Sequence, residues 1–416
     1  MSAVQKQSRR LSALIVNFNS GAWALRCVES LLAEWERDGR RRDDLEIIVL
    51  DSGSEPAEST WWRSLRRLGA RVKSSPANVG YATGLNMAWE MSRGAPDDVV
   101  ALLNPDLFFL PGSLRPLMNR LEEKSEVGAV APRLYLDEER QIQLPQNLLP
   151  TPQRELRESL SVHFPRIARW VAAGRSTLSR NFWREEEPVS GEMLSGACLF
   201  LRRETVLELG EPMDGRYPLY FEDADLCQRL TDFGYRLETV PDADVLHHWS
   251  RCAGPNFEGE VAKRHAHSRI LWFATHHSGF GAKFYLGLRA MVDRLAAGRV
   301  PSAMHELVDL GDLTESPEIR FPEDGEYVVE ISLTPSWGLS AGICVDGDQY
   351  SMPSKTWSWL FPGKYYMRAL QAESGACLGA WSFQKHTPAR SWPLDVASLP
   401  APRARLVMPL VGGRVG

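Results

Sequence analysis

Three carboxylates at the start of one predicted helix are the strongest candidates for acid–base chemistry. They are Glu222, Asp223 and Asp225, and they follow the aromatic pair Tyr220 and Phe221. Acidic side chains in a first helical turn are stabilised by the free backbone N–H groups and by the helix dipole, which explains one or two of them. The cluster therefore indicates that one of the three projects into a polar site as a general base.

Two further groups have the chemistry of metal ligands. Asn104 and Asp106 follow the apolar run 99–103, and His247 and His248 end a later run. A carboxylate at a strand end can bind a hard cation such as Mg²⁺, which commonly takes only one or two protein carboxylates; an Asx turn is the structural alternative. Adjacent histidines on a strand point to opposite faces, so at most one of the two can face a cleft, and a core or surface histidine is the alternative for either.

Two stretches have features of nucleotide binding. Asp51 follows the apolar run 47–50, where a carboxylate can accept hydrogen bonds from a base or a ribose or simply cap a turn. Residues 78–86 form a glycine-bearing turn that runs into a helix, which suits a close approach of the backbone to a diphosphate or a ribose. This stretch is not G-x-G-x-x-G, and G-x-x-x-x-G-K-[ST] does not occur, so dinucleotide and P-loop sites are not supported.

Alternating apolar and amphipathic segments must position these residues. The expected strands are 12–16, 46–50, 70–74, 99–103 and 127–134, and the expected helices are 22–36, 56–68, 82–93 and 111–123. Further along, the pattern predicts strands at 192–201, 237–240 and 244–247 and a helix at 222–232. This alternation predicts a doubly wound, mostly parallel α/β sheet, and in such sheets ligands bind beyond the carboxyl ends of the strands.

The rest of the chain divides into three segments with other sequence patterns. Residues 137–188 lack regular alternation and are expected to form an insertion over the active face, near the acceptor side, within a catalytic domain of residues 1–255. Residues 256–300 form a basic amphipathic helical segment, and residues 301–416 have the short alternating runs of a small, β-sandwich-like all-β domain.

Composition excludes several functional classes. The chain has 416 residues and a formal net charge of −5, so no global positive charge supports a nucleic-acid binder. Its six cysteines are scattered without a C-x-x-C pair, and no apolar run reaches the roughly 18–20 residues of a membrane span. We therefore expect a cytoplasmic protein, soluble or peripheral on the inner face of the cytoplasmic membrane.

A series of motifs between about residues 11 and 252 resembles, in order, those of the family 2 glycosyltransferases, in the bacterial rhamnosyltransferase-like branch. Asn104 stands where the D-x-D motif has its first Asp, and Ser250 and Cys252 replace the Gly and Ser of H-x-x-G-x-S. The matching segments are the opening strand 14–19, the strand end 49–54, the stretch 78–86, and residues 103–106, 195–198, 221–226 and 247–252.

This resemblance implies a GT-A fold and an inverting transfer of a hexose or rhamnose-like deoxyhexose. Asp223 would be the general base, and Asp106 and His247 would hold Mg²⁺ or Mn²⁺. The donor would be a UDP- or dTDP-sugar, and the acceptor a hydroxyl of a bacterial surface glycan or of a lipid-linked glycan. Donor contacts would come from Asn17, Asn19, Asp51, Asn78, Gly80, Gly84, Asn86 and Asn104, and the acceptor side would contain Ser195, Gly196 and Glu222.

Two other functions compete with this interpretation. A sugar nucleotidyltransferase would need a glycine-rich N-terminal loop followed by a basic residue, and residues 17–21 contain no Lys or Arg. A non-catalytic carbohydrate-binding or scaffold protein would fit the missing first Asp and the β-rich C-terminus. The joint presence of Asp106, Asp223 and His247 argues against this second alternative.

The basic segment 263–299 has two interpretations. It contains seven Lys or Arg against the single acid Asp293, interleaved with five Trp, Phe or Tyr residues. Such a segment can bind an anionic membrane surface and bring the cleft to a membrane-proximal acceptor. Alternatively, its aromatic face packs against the neighbouring domains and its charges are only solvated.

Overall fold

The computed structural model describes residues 9–161, 163–248, 259–277, 279–296, 305–335, 337 and 340–386. Its first part alternates strands and helices, as the sequence predicts. In chain order the elements are β1 (Leu11–Asn17), α1 (Gly21–Arg37), β2 (Leu45–Ser52), α2 (Ser59–Arg67), β3 (Arg71–Ser75), α3 (Tyr81–Met91), β4 (Val99–Leu103), β5 (Leu107–Phe109), α4 (Leu114–Glu123) and β6 (Val127–Tyr135).

The middle part completes the same sheet and adds helices outside it. Its elements are α5 (Pro152–Ser161), α6 (Pro165–Arg184), β7 (Val189–Ser190), β8 (Cys198–Arg202), α7 (Arg203–Leu209), α8 (Glu222–Asp232) and β9 (Arg236–His247). Helix α8 has the bounds that the sequence predicts. The two short strands expected at 237–240 and 244–247 are one strand, β9. Helices α5 and α6 occupy most of the insertion that we expected to be irregular.

The large sheet has the strand order β3-β2-β1-β4-β8-β6-β9-β5, with β7 beside β9. The α/β fold is confirmed, but the sheet is mixed rather than mostly parallel: in the described residues four strand pairs are parallel and four are antiparallel. Strand β8 begins only at Cys198, because residues 192–197 form a loop instead of the expected strand.

Helices cover both faces of this sheet, which is why β1 and β4 are buried along their whole length. Ala13 and Ile15 of β1 pack in the same cluster as α1 and α4, whereas Leu14 and Val16 pack with α3 and α8. This alternation follows from the two-residue period of a strand. The buried strands thus provide a rigid base for the residues at their carboxyl ends.

The last part contains two helices and a second sheet. Its elements are α9 (Gly259–His276), α10 (Gly279–Ala296), β10 (Val308–Leu313), β11 (Glu318–Ser332), β12 (Ser340–Ser351), α11 (Ser354–Trp359), β13 (Gly363–Gln371) and β14 (Cys377–Lys385). The strands form one five-stranded sheet in the order β10-β14-β13-β11-β12, so the described residues form a single sheet and not the expected sandwich. The predicted boundaries at residues 255 and 300 lie outside the described residues.

The second sheet contacts the first part of the chain directly. Gln143 pairs with Tyr135 at the end of β6 and with Gly342 of β12, so one residue bridges the two sheets. A Cβ atom at Gly342 would lie 2.6 Å from the ring of Trp183 on α6, which explains the glycine at this position. None of the described helices is long and apolar enough to cross a bilayer.

Candidate active site

One cleft of about 700 Å³ collects most of the residues that the sequence singles out. This volume falls within the about 300–1,000 Å³ of small-molecule sites. The residues from the sequence analysis that line it are Asn78, Gly80, Asn104, Asp106, Ser195, Gly196, Glu222, Asp223 and His247. The cleft lies where the carboxyl ends of β2 and β4 meet the start of α8, as expected for an open α/β sheet.

Asp223 is held in a defined position in the first turn of α8. Its Oδ2 accepts a hydrogen bond from the backbone N–H of Gly196 at 3.2 Å, and its Oδ1 accepts one from the N–H of Ala224 at 2.9 Å. A Cβ atom at Gly196 would lie 2.6 Å from the Cβ of Asp223, so only glycine permits this approach. Burial raises the pKa of Asp223, and the two N–H donors oppose that rise.

Glu222 lies beside Asp223 but has a different environment. It is buried, and its Oε2 has no hydrogen-bond partner in the described residues. Burial, followed by the negative charge of Asp223, raises the pKa of Glu222 to about 8. Near neutral pH Glu222 can therefore keep its proton, which places a proton donor beside the carboxyl group of Asp223 within one helical turn.

A strained turn precedes these carboxylates. Tyr220 and Phe221 both have left-handed backbone angles, with φ of +64° and +68°. This conformation is unfavourable for aromatic residues and persists only where the surroundings impose it. Helix α9 provides such surroundings: Ser268 Oγ donates to the carbonyl of Leu219 at 2.8 Å, and the ring of His265 packs on both aromatic rings.

Helix α9 also contacts α8 and the insertion. His276 Nε2 lies 2.8 Å from Asp225 Oδ1, and Trp272 Nε1 donates to the carbonyl of Pro150. Trp272, Phe273 and Tyr285 are buried. Three of the five aromatic residues of the basic segment therefore pack inside the protein, as the packing interpretation of 263–299 requires. Residues 297–299 lie outside the described residues.

Asp106 and His247 lie together because β5 pairs with the end of β9. The pairing places Leu107 opposite His247, and His247 Nε2 is 3.6 Å from Asp106 Oδ1. Burial by itself would raise the pKa of Asp106, but the electrostatic interaction with the His247 side chain outweighs it and holds that pKa below its usual value. His248 instead packs between Trp23 and Trp359, so the two histidines differ as expected for neighbours on a strand.

The side chains of Asp106 and His247 fit a divalent cation. Asp106 Oδ1 and His247 Nδ1 are buried without a hydrogen-bond partner, and the 3.6 Å between the two side chains is too long for a hydrogen bond. The described residues contain no cluster of three or more His, Cys, Asp or Glu with metal-site geometry. A carboxylate and an imidazole suit Mg²⁺ or Mn²⁺, which can take further ligands from phosphate oxygens and water.

The turn before α3 approaches the cleft through its backbone. Gly80 has φ of +82°, which favours glycine, and Asn78 Oδ1 accepts hydrogen bonds from the N–H of Gly80 and the hydroxyl of Ser52. Tyr81 follows, and its hydroxyl donates to the carbonyl of Gly196 at 3.2 Å. The turn thus connects the end of β2 to the loop that holds Asp223.

Three predicted donor residues, at the ends of β1 and β2 and in the loop after β1, do not line the cleft. Asn17 and Asp51 are buried, and Asn17 Nδ2 donates to Asp51 Oδ1 at 2.9 Å and to Ser54. Asn19 accepts the backbone N–H of Glu55. These contacts fasten the ends of β1 and β2 to each other, so their observed role is to shape the loops.

Gly84 and Asn86, two further predicted donor residues, make structural contacts and do not line the cleft. A Cβ atom at Gly84 would lie 3.0 Å from the side chains of Val16 and Leu50, so this glycine lets α3 pack closely on the sheet. Asn86 bonds with Glu211 and with both backbone groups of Met213. Both residues lie on α3.

Several cleft residues were not found from the sequence. Arg264 of α9 lines the cleft, although the sequence analysis assigned it only to the basic segment. The others come from the insertion, α6 and β12; they are Leu144, Gln146, Asn147, Phe182 and Ala341. Tyr81, which also lines the cleft, lies within a motif of the sequence. The five residues from the insertion, α6 and β12 belong to no motif, because segments far apart in the chain bring them together.

Comparisons with known proteins define the class. Residues 12–180 match the sequence profile described as Glycosyl transferase family 2. An N-acetylglucosaminyl-diphospho-decaprenol L-rhamnosyltransferase of Mycobacterium tuberculosis is 29% identical over 280 residues, which cover 65% of this chain and 86% of that protein. The protein is a glycosyltransferase, and its residues 12–180 match family 2. It is similar to a rhamnosyltransferase, as the motifs predict.

Solved structures with a similar fold include two glycosyltransferases. A mannosyltransferase from Pyrobaculum calidifontis in complex with GDP-Man and Mn²⁺ shares 16% identity with a TM-score of 0.41, covering 72% of this chain and 78% of that one. GalNAc-T7 with UDP, GalNAc and Mn²⁺ shares 13% identity with a TM-score of 0.45, covering 90% and 77%.

Proposed function

We propose that the protein is an inverting, metal-dependent glycosyltransferase. It would move a hexose or a rhamnose-like deoxyhexose from a UDP- or dTDP-sugar to a hydroxyl of a bacterial surface glycan or of a lipid-linked glycan. The observation that carries this proposal is that Asp223, Asp106 and His247 line one cleft. The similarity to a rhamnosyltransferase supports the choice of sugar and acceptor class.

Asp223 is the proposed general base. The acceptor hydroxyl is a weak nucleophile near neutral pH, and a positioned carboxylate that removes its proton accelerates attack by about 10²–10⁴-fold. The N–H of Gly196 orients this carboxylate. Attack on the anomeric carbon from the face opposite the leaving group breaks the bond to the diphosphate and inverts the configuration.

The donor end would accommodate the nucleoside diphosphate. Asp106 and His247 would hold Mg²⁺ or Mn²⁺, which supplies Lewis-acid stabilisation for the departing diphosphate. The turn at Asn78 and Gly80 would bring backbone close to the donor, and Asn104, which lines the cleft, would offer an amide to it. Ser195, Gly196 and Glu222 would form the acceptor side.

A second surface supports peripheral attachment to the cytoplasmic face of the membrane. The outer face of α10 carries Phe284 and Met291, which are 65% and 50% exposed. Lys283 and Arg294 are exposed on the same helix. We propose that this face, rather than the whole segment 263–299, contacts anionic lipid, because an exposed apolar face flanked by basic residues is typical of interfacial helices.

The proposed reaction can be tested with purified protein and a panel of UDP- and dTDP-sugars. We expect release of the nucleoside diphosphate in Mn²⁺ or Mg²⁺ and its loss in excess chelator. NMR of the glycoside product from an α-linked donor should show the β anomer, or the reverse for a β-linked donor. Full activity in chelator would contradict the metal role, and a retained anomeric configuration would contradict inversion.

A further inference from the structure

Gly196 connects the proposed base to the start of α3. Its N–H donates to Asp223 Oδ2 at 3.2 Å, and its carbonyl accepts a hydrogen bond from the hydroxyl of Tyr81, also at 3.2 Å. No backbone N–H of the described residues donates to this carbonyl. Because glycine has no side chain to restrict its backbone angles, external contacts decide the direction in which the Gly196 N–H points.

The loop around Gly196 is fastened to the sheet on its other side. The carbonyl of Ala197 accepts a hydrogen bond from the N–H of Asn104, after the end of β4, at 2.8 Å. Within the loop, the N–H of Cys198 donates to the carbonyl of Ser195 at 3.4 Å, which closes a turn. These backbone bonds flank Gly196 without contacting its carbonyl. Its contact to α3 is therefore made by the Tyr81 side chain.

Tyr81 reaches this loop from a fixed position. Ser52, at the end of β2, accepts a hydrogen bond from the N–H of Val79 at 3.0 Å, and its hydroxyl donates to Asn78 Oδ1 at 3.2 Å. These two bonds attach the turn before α3 to the large sheet. The hydroxyl of Tyr81, in the first turn of α3, thus contacts the loop from a base that is anchored to buried strands.

The hydroxyl of Tyr81 keeps its proton near neutral pH. Burial, followed by the negative charges of Glu222 and Asp223, raises the pKa of Tyr81 well above its usual value. A protonated phenol can donate to the Gly196 carbonyl throughout the pH range in which carboxyl groups ionise. Burial raises the pKa of Asp223, and the hydrogen bond from the Gly196 N–H opposes that rise. A change in the direction of this N–H should therefore change the pKa of Asp223.

We propose that Tyr81 is a positioning residue for the transfer reaction, because its hydroxyl fixes the Gly196 N–H that orients Asp223. This inference rests on the proposed function, in which Asp223 is the general base, and it adds a residue on which the base depends. Tyr81 acts through the backbone of Gly196 and takes no proton from the acceptor.

The kinetic test compares wild type with Tyr81→Phe, using the full chain with Mn²⁺ and a sugar donor from the panel above. The variant keeps the ring and loses the hydroxyl. We expect kcat near neutral pH to fall about tenfold with the donor KM unchanged. The acid limb of the kcat–pH profile should move about one unit to higher pH, because a carboxylate with a weaker N–H contact holds its proton more tightly. A raised donor KM with unchanged kcat would overturn the inference, since Tyr81 would then be a donor contact.

The shift of the pH profile must be assigned to Asp223 and not to a neighbour. Charged or titratable side chains at this end of the cleft come from α8 and the turn before it, from α3 and from α9; they are Glu222, Tyr220, Cys227, Tyr81 and Arg264. Of these, Glu222 has a pKa of about 8 and can titrate in the same range as Asp223. In the Glu222→Gln background, Tyr81→Phe should shift the acid limb by a similar amount, and the absence of a shift there would overturn the inference.

A second measurement does not depend on activity. Labelling with ¹³C-carbonyl serine and ¹⁵N-glycine selects the amide signals of glycines that follow a serine, and Gly196 is one of them. The signal that changes in Asp223→Asn identifies Gly196, and its shift against pH reports the ionisation of Asp223. We expect the midpoint to lie about one unit higher in Tyr81→Phe, and equal midpoints would overturn the inference. If wild type transfers no sugar, the proposed function fails, whereas this titration still decides whether Tyr81 orients the N–H.

Tyr327→Phe is the matched control. The hydroxyl of Tyr327 also donates to a backbone carbonyl, that of Glu323 at 2.9 Å, and its ring is buried in the C-terminal sheet. We expect kcat, the pH profile and the Gly196 midpoint of this variant to match wild type. Equal losses of kcat in Tyr81→Phe and Tyr327→Phe, without a shift of the pH profile, would show a general effect on stability and would overturn the inference.

Discussion

The donor end and the acid-bearing end of the cleft are held in different ways. At the donor end, Asp106 and His247 are fixed by hydrogen-bonded strands of one buried sheet. At the other end, Asp223 follows a left-handed turn that α9 holds from outside the sheet. The difference teaches that sheet register alone positions the proposed metal ligands, whereas the proposed base depends on contacts between segments far apart in the chain.

The largest expected effect concerns the base. Asp223→Asn keeps the shape of the side chain and removes the proton acceptor, so we expect kcat to fall by about 10²–10⁴-fold while nucleoside diphosphate affinity stays near wild type. Asp232→Asn, at the exposed end of the same helix, is the matched control. If Asp223→Asn keeps substantial turnover, the base lies elsewhere, with Glu222 and Asp225 the next candidates.

Substitutions at the donor end should weaken the binding of the nucleoside diphosphate, whereas Asp223→Asn lowers kcat. Asp106→Ala and His247→Ala should each weaken metal-dependent nucleoside diphosphate binding by at least the about 10–100-fold that loss of an outer-shell partner costs. Calorimetry with and without Mn²⁺ measures this. His248→Phe keeps a ring between Trp23 and Trp359 and should leave metal dependence intact. Equal effects of the three variants would remove the distinction between the two histidines.

At the acid-bearing end of the cleft, Glu222 should make the free energy of unfolding depend on pH. Because its pKa is raised from 4.5 to about 8, Glu222 contributes stability that is fully present below about pH 4.5 and is lost as pH rises through about 8. Glu222→Gln cannot ionise, so its free energy of unfolding relative to wild type should increase between pH 5 and pH 8. Urea unfolding at several pH values measures this, and parallel curves for both proteins would contradict the raised pKa.

The contact between α9 and the strained turn should have a smaller effect. Ser268→Ala removes the hydrogen bond to the carbonyl of Leu219, and we expect kcat to fall about two- to tenfold with the donor KM unchanged. Ser268→Thr keeps the hydroxyl and should restore most of the activity. A change in donor KM without a change in kcat would place the influence of α9 at the donor end instead.

The same contrast explains what the sequence could predict. Most of the strands and α8 follow from periodicity, whereas the meeting of Asp106 with His247 was implied by the family resemblance. Gly84 and Asn86 show the limit of a motif, because packing of a helix on a sheet and ligand contact can require the same residue types. The packing of Gly84 on Val16 and Leu50, and the hydrogen bond of Asn86 to Met213, are visible only once the fold is known.

The part of the cleft contributed by the insertion and by β12 had little local signal for a physical reason. Gln146, Phe182 and Ala341 meet only because Gln143 bridges two sheets that lie about 200 residues apart in sequence. Such a contact depends on long-range pairing and not on the propensity of any short window. The sequence also could not show that the C-terminal strands form a single sheet. Apolar and polar residues alternate along a strand in the same way in one sheet as in two facing sheets.

The smallest expected effect concerns the outer face of α10, which tests whether the chain beyond the sheet also contacts a membrane. Wild type should co-sediment weakly with anionic vesicles at low salt, because each basic residue near such a surface contributes about 1 kcal/mol. Lys283→Glu/Arg294→Glu should abolish this binding, whereas Arg320→Glu/Lys364→Glu on the C-terminal sheet, with the same charge change, should not. Binding should also fall at high salt, where the Debye length shrinks from about 10 Å at 0.1 M to about 3 Å at 1 M. If wild type does not bind anionic vesicles at low salt, the buried Trp272, Phe273 and Tyr285 leave packing against the catalytic part as the role of this segment.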